Sequence, residues 1–381
     1  MRNDVLNFLT ENGKKSFDEL PFCEGDVVSL ALLSYASFEH TEIYKNRDLH
    51  NSKIKLTEFG TKEQITVLSA NYIYLTLFNT FLLNFFTQER YKDVEIGYFE
   101  ENFDVKNITQ FFAFTIFFKD FNVIVFRGTD TSILGWQEDL ELSFKEKIPA
   151  HSLAKKYLYK MIEVDDVNYT LIGHSKGGNL AYYAFFNSRK DVKNKIKKVY
   201  NLDGPSFKND KYDYDKYLGK LIKFVPSDDT VGILMERSLN YTIIQTKNMG
   251  GGAHDPLNWV FDKKTNRIKI GRSRKLSAYS KTLRITVRQW LEKYDEKEFK
   301  NLSDFIFSIA YANKKYDVLS LKLDVIKKRQ IYLDKLTYYN KEKKDHALKM
   351  TRDFVKIYFT VFFNLNKYDD KGDLIVKKGE I

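Results

Sequence analysis

A single cysteine, Cys23, stands in 381 residues. No intramolecular disulfide can form, and a zinc cage of several cysteines is out of reach. Such a chain suits a reducing compartment, and the cytoplasm is the expected location. A long apolar run is also missing. The most apolar stretch, residues 72–86, is interrupted by Asn79 and Asn84. It is shorter than the ~20 residues that span a bilayer, so it reads as a buried helix. Residues 1–11 carry an acid at Asp4 and no small-residue cleavage site, so no secretory signal is expected. Neither a metal nor a cofactor is expected, because no His or carboxylate cluster at ligand spacing joins Asp228 and Asp229.

Glycine and proline are unevenly distributed. All five prolines precede residue 257, and neither residue type occurs from Arg272 through Lys371. So long a stretch without a breaker, rich in Leu, Lys, Tyr and Phe, predicts successive long helices, with starts at Ser303-Asp304 and at Asp317. The last dozen residues, around 369–381, read as a tail or short terminal strand. On this pattern the chain divides into residues 1–271 and a helical, basic extension, 272–381. The net charge of +11 sits mostly there: residues 276–381 hold 23 Lys and Arg against 15 Asp and Glu, while the first 275 hold 39 against 36. A solvated helical surface accounts for this excess, and peripheral contact with an anionic membrane is the partner it would favour. The interleaved acids and the lack of a recognition motif argue against nucleic acid.

What is present is core-forming material, 43% hydrophobic and 15% aromatic. The first hundred residues read as mainly helical, with clear pieces at 27–35, 62–67 and 70–86. Residues 111–118 and 122–126 read as a hairpin around Lys119-Asp120-Phe121. Further strands fall at 169–172, 198–202 and 221–225, with helices between them, and another at 241–246. Apolar runs of this kind fit strands covered on both faces, and the alternation gives an α/β fold around a mostly parallel sheet.

One strand ends in Gly173-His174-Ser175-Lys176-Gly177, and a helical stretch follows at once. A serine at a strand–turn–helix junction lifts its hydroxyl above the sheet, and glycines at 173 and 177 let the turn pass between strand and helix. The alternative is a serine that merely caps the helix. A serine hydroxyl also needs a general base, and the base needs an acid to orient it. In the α/β-hydrolase order, acid and histidine follow the serine. Only His254 and His346 do so. His254 lies in a glycine-rich loop, Met249-Gly250-Gly251-Gly252-Ala253-His254-Asp255-Pro256, whereas His346 sits among lysines. Asp228 and Asp229, after the strand at 221–225, are the leading acid candidates. Asp203, in Asn201-Leu202-Asp203-Gly204-Pro205, reads as a turn former and ranks third. Lys176, through its backbone N–H, and the loop Phe126-Arg127-Gly128-Thr129-Asp130 are placed to hold an oxyanion.

Three segments, Val125 to Thr129, Trp136-Gln137-Glu138-Asp139-Leu140 and Gly173 to Gly178, resemble the successive signatures of class 3 (fungal-type) lipases. The chain is most similar to the lipase-like proteins of Gram-positive bacteria, with which it shares Lys-Gly-Gly-Asn after the serine and His-Asp-Pro near the end of the core. The resemblance covers about residues 20–270. It implies an α/β-hydrolase fold and cleavage of a lipid or other acyl ester. It also implies Thr129 as an oxyanion donor and Asp229 as the acid, because Val231 follows two residues on; Asp228 is the alternative. A silent hydrolase fold kept as a binding module is the competing function.

Overall fold

The computed structural model describes residues 3–70, 72, 75–312 and 341–375; the helix start expected at Asp317 lies outside them. Eight strands form one sheet in sequence order: β1 (Lys53–Lys55), β2 (Glu95–Asp104), β3 (Thr109–Phe117), β4 (Phe121–Phe126), β5 (Asn168–His174), β6 (Ile196–Leu202), β7 (Leu221–Pro226) and β8 (Thr242–Ile244). The sheet is mixed. β1 to β4 pair antiparallel, and β4 to β8 pair parallel. The hairpin expected at 111–126 is β3 and β4. β1 and β2 escape sequence reading because β1 is three residues long and the far half of β2, Glu100 to Asp104, is polar and half-exposed.

Side-chain alternation sorts the central strands onto two cores. Phe112, Phe114 and Ile116 of β3, Val123 and Val125 of β4 and Ile172 of β5 enter one. Phe111 and Ala113, Ile124 and Phe126, and Leu171 enter the other. The first core is closed by α1 (Val5–Asn12), α2 (Glu24–Leu33), α4 (Lys62–Leu68) and α5 (Leu75–Phe86), with α3 (Glu42–Asn46) at its margin. One face of α5 is therefore core: Phe78, Phe81 and Phe85 are fully buried. The second core is closed by α7 (Pro149–Val164), α8 (Lys176–Phe186) and α9 (Lys190–Lys195). Under the N-terminal helices the Arg90–Asp26 pair is fully buried at 2.7 Å, and Tyr91 donates to the same carboxylate. Removing one partner of such a pair strands a charge and typically costs about 3–5 kcal/mol.

α6 (Ile133–Phe144) leaves the end of β4 with Ser132 as its N-cap, accepting from the Gly135 N–H at 3.0 Å. The short α10 (Gly251–His254) follows β8. Beyond it run α11 (Ala278–Lys293), α12 (Glu296–Ala312) and α13 (Lys341–Phe363). The start expected at Ser303-Asp304 is corrected: both residues lie inside α12. The true start is at Asp295, whose carboxylate accepts from the Glu298 N–H while Glu298 accepts from the Asp295 N–H, a reciprocal cap. These helices share one core with α6: Phe144 packs with Tyr294, Phe299, Leu302, Phe305, Ala347 and Met350. Tyr311 of α12 also donates to Gln137 of α6 at 3.0 Å. At the end of the described chain Tyr368 and Leu374 form a single antiparallel bridge. No helix among the described residues is long and apolar enough to cross a membrane.

Candidate active site

The sheet's carboxyl edge carries the site. Ser175 sits between β5 and α8 with φ 55° and ψ −131°, a backbone conformation that side-chain-bearing residues rarely adopt. Its neighbours allow the turn only because they lack a Cβ. One added at Gly173 would stand 2.1 Å from the Gly177 carbonyl, and one at Gly177 would stand 2.1 Å from the Phe126 oxygen. Ser175 makes no side-chain capping bond to α8. Its hydroxyl is not spent on the helix, so the capping alternative is set aside.

His254 ends α10 behind the glycine loop. The loop is pinned at several points: Asn258 donates to the Gly252 carbonyl and the Trp259 indole to that of Ala253. His174 holds His254 from below. Its Nε2 lies 2.8 Å from the His254 carbonyl, which can only accept, so Nε2 carries the proton. Its Nδ1 takes the Tyr35 hydroxyl at 2.7 Å. Burial lowers the pKa of His174 well below the ordinary histidine value, which matches that neutral form. The two imidazole rings stand 4.4 Å apart.

The acids are arranged differently from the expectation. His254 Nδ1 lies 2.7 Å from Asp203 Oδ2. Asp228 is engaged elsewhere, accepting from the Gly250 N–H at 2.7 Å and the Ser277 hydroxyl at 2.6 Å. It ties the glycine loop to the N-cap of α11. Asp229 is fully buried and accepts from the Val231 and Ile233 N–H groups, each at 3.0 Å. Ligand atoms of Asp203, Asp229 and His254 lie within 4.8 Å of one another. Asp203, like Ser175, is held at positive φ, 54°. Asp203 ranks only third on sequence because Asp-Gly-Pro is turn chemistry. The missing signal is spatial: β6 and β7 are neighbours, so the loops after both reach the same histidine.

On the other side of Ser175 lie Thr129 and Lys176. Arg127 fixes the Thr129 loop: it pairs with Glu39, donates to the Ala36 carbonyl at 2.7 Å and lies 3.6 Å over the Phe112 ring. Thr129 Oγ1 is buried and short of a full hydrogen bond among the described residues. It is near enough to Asp139 for its hydroxyl to favour that carboxylate, yet burial, the largest influence, pushes Asp139 up to about 6. The Lys176 ammonium is buried and spent on Glu138 Oε2 and Gln110 Oε1, both at 2.6 Å, and on the Gln110 carbonyl. This pair locks the first turn of α8 to α6. Ser175, His254, Thr129, Lys176 and Asp139 all line one cavity of about 640 Å³.

A family model described as Mbeg1-like matches residues 85–308. The chain belongs to the Mbeg1-like family. The matched span contains Thr129, Ser175, Asp203, Asp229 and His254. Two solved structures resemble this Mbeg1-like chain. One is a lipase of Rhizomucor miehei in complex with its propeptide, with 15% identity, a TM-score of 0.34, and 57% of this chain and 66% of that one covered. The other is a mutant form of MDLA from Penicillium cyclopium, with 16% identity, a TM-score of 0.36, and 64% and 84% covered. The Mbeg1-like chain thus spans just under two thirds of the Rhizomucor lipase. No curated protein matches it.

Proposed function

We propose that this protein is a serine hydrolase that cleaves a carboxylic ester with an apolar acyl group. The observation that carries the reading is a strained, uncapped Ser175 lining the same cavity as a histidine that already holds a carboxylate. Ser175 Oγ attacks the carbonyl carbon and its proton passes to His254 Nε2. The carboxylate at His254 Nδ1 fixes the ring's orientation and stabilises the imidazolium that forms. The Lys176 N–H and Thr129 hold the oxyanion. His254 returns the proton to the leaving alcohol, and water attacks the acyl-enzyme by the same route in reverse order. Burial lowers the pKa of His254, so the ring is neutral and able to accept at neutral pH.

The cavity walls support an apolar acyl group. Trp136, Leu140, Val231, Leu234, Trp290 and Phe307 face the space beside Ser175. A fluorophosphonate probe should label the native protein, and Ser175→Ala should abolish the labelling. Retained labelling of that variant would remove Ser175 from the reaction.

A further inference from the structure

Two carboxylates stand behind His254 where a hydrolase needs one. We propose that Asp203 and Asp229 form a proton-sharing acid pair in which Asp229 holds the proton and donates it to Asp203, leaving Asp203 as the charged group that orients His254. The inference rests on the serine-hydrolase reading and gives each carboxyl a different task.

Geometry separates the two. Asp203 Oδ2 is taken by His254 Nδ1. Its Oδ1 is buried and meets no full donor among the described residues. The Gly232 backbone closes over it, and a Cβ at that glycine would stand 2.2 Å away. A buried carboxylate oxygen short of donors costs free energy. The polar groups that reach Asp203 here are the Gly232 backbone N–H and the Asp229 carboxyl, an oxygen of which lies within 4.8 Å of one of Asp203. Both oxygens of Asp229 already accept backbone N–H groups, and an O–H oxygen can still accept. Two charges at this separation in a buried site repel strongly, so one proton stays with the pair.

The surrounding groups agree. Burial and the Asp203 charge raise Asp229 well above the ordinary carboxylate value, while Asp203 rises to about 7, with the Asp229 contact holding it down. Lys223 acts on Asp203, but its ammonium is spent on Glu236 at 2.6 Å and on Ser206. Asp255 and Asp139 act on His254 from the glycine loop and from α6, and Tyr279 of α11 faces Asp229. Among these only Lys223 is a cation, and its ion pair leaves it no net charge to offset a second carboxylate.

Asparagine substitution distinguishes the roles. Asp203→Asn should lower kcat by about 10³- to 10⁴-fold on p-nitrophenyl butyrate, as loss of the orienting carboxylate does elsewhere. Asp229→Asn keeps an N–H donor toward Asp203, so kcat should stay within about tenfold and KM unchanged. The native protein should lose kcat at alkaline pH as the pair gives up its proton, and this variant, which cannot lose that proton, should show no such decline. It gives up one backbone acceptor, and its melting temperature should fall. Infrared spectra of the native protein at neutral pH should show the carbonyl stretch of a protonated carboxylic acid, missing in Asp229→Asn. Equal kcat losses in the two variants, or a folded native protein without that band, would overturn the pair. A native protein that no fluorophosphonate labels would instead sink the hydrolase reading, while the infrared band would still decide the pair.

Discussion

The carboxyl edge of the sheet and the C-terminal helices meet in one cavity and bring different things to it. The edge supplies the polar groups, Ser175, His254 and Thr129. α11 and α12 supply Val287, Trp290, Ile306 and Phe307, all apolar. The edge would thus set whether an ester is cleaved, and the helices would set which one. An apolar pocket discriminates chain length only modestly, whereas oxyanion donors act on every substrate alike.

The two regions join at Phe299. Phe299 is buried, stacks on Phe144 of α6 at 5.6 Å and meets the Trp290 edge at 4.8 Å. Phe299→Ala should cost about 3–5 kcal/mol. Thermal unfolding of the native protein should be one transition, because the core is shared. Two transitions, with only the weaker one moved by the substitution, would make the helices a separate unit. Next in size is Thr129→Val, which should lower kcat by about 10²- to 10³-fold on short and long esters alike, with KM little changed. A loss confined to one chain length would mean that Thr129 contacts the acyl group instead.

Phe307→Ala works on the other region. The ratio of kcat/KM between long and short p-nitrophenyl esters should shift by roughly tenfold, with labelling of Ser175 intact. An unchanged ratio would remove α12 from the acyl wall. The smallest effect is in pH. The proposed mechanism requires neutral His254, whose folded pKa lies below the ordinary histidine value because burial outweighs the pull of the neighbouring carboxylates. The acid limb of kcat/KM should therefore fall below that ordinary value, since protonation of the ring removes the base. A limb above it would mean that a carboxylate dominates the histidine's surroundings.

The same contrast explains what the sequence disclosed. Ser175 and His254 were legible because each sits in a motif whose backbone chemistry is local: glycines at 173 and 177 and a glycine loop before His254. Position alone pointed to the loop 126–130, and the lipase resemblance singled out Thr129 within it. β3 to β7 were legible because each is an apolar run. The contact between Asp203 and His254 was not legible, since it joins residues 51 apart through the order of β6 and β7. The helices were legible as helices but not as walls, because an amphipathic pattern does not say what it packs against. Cap chemistry read from two residues also misled: Ser303 and Asp304 look like a start, yet Asp295 and Glu298 supply the actual reciprocal cap.

Ser175 carries the proposed reaction. Native protein treated with a fluorophosphonate, digested and mapped by mass spectrometry should carry one adduct, on the peptide containing Gly173 to Gly177. Turnover of p-nitrophenyl butyrate by Ser175→Ala should fall by about 10⁵- to 10⁶-fold. An adduct on another residue, or turnover that survives the substitution, would contradict that role.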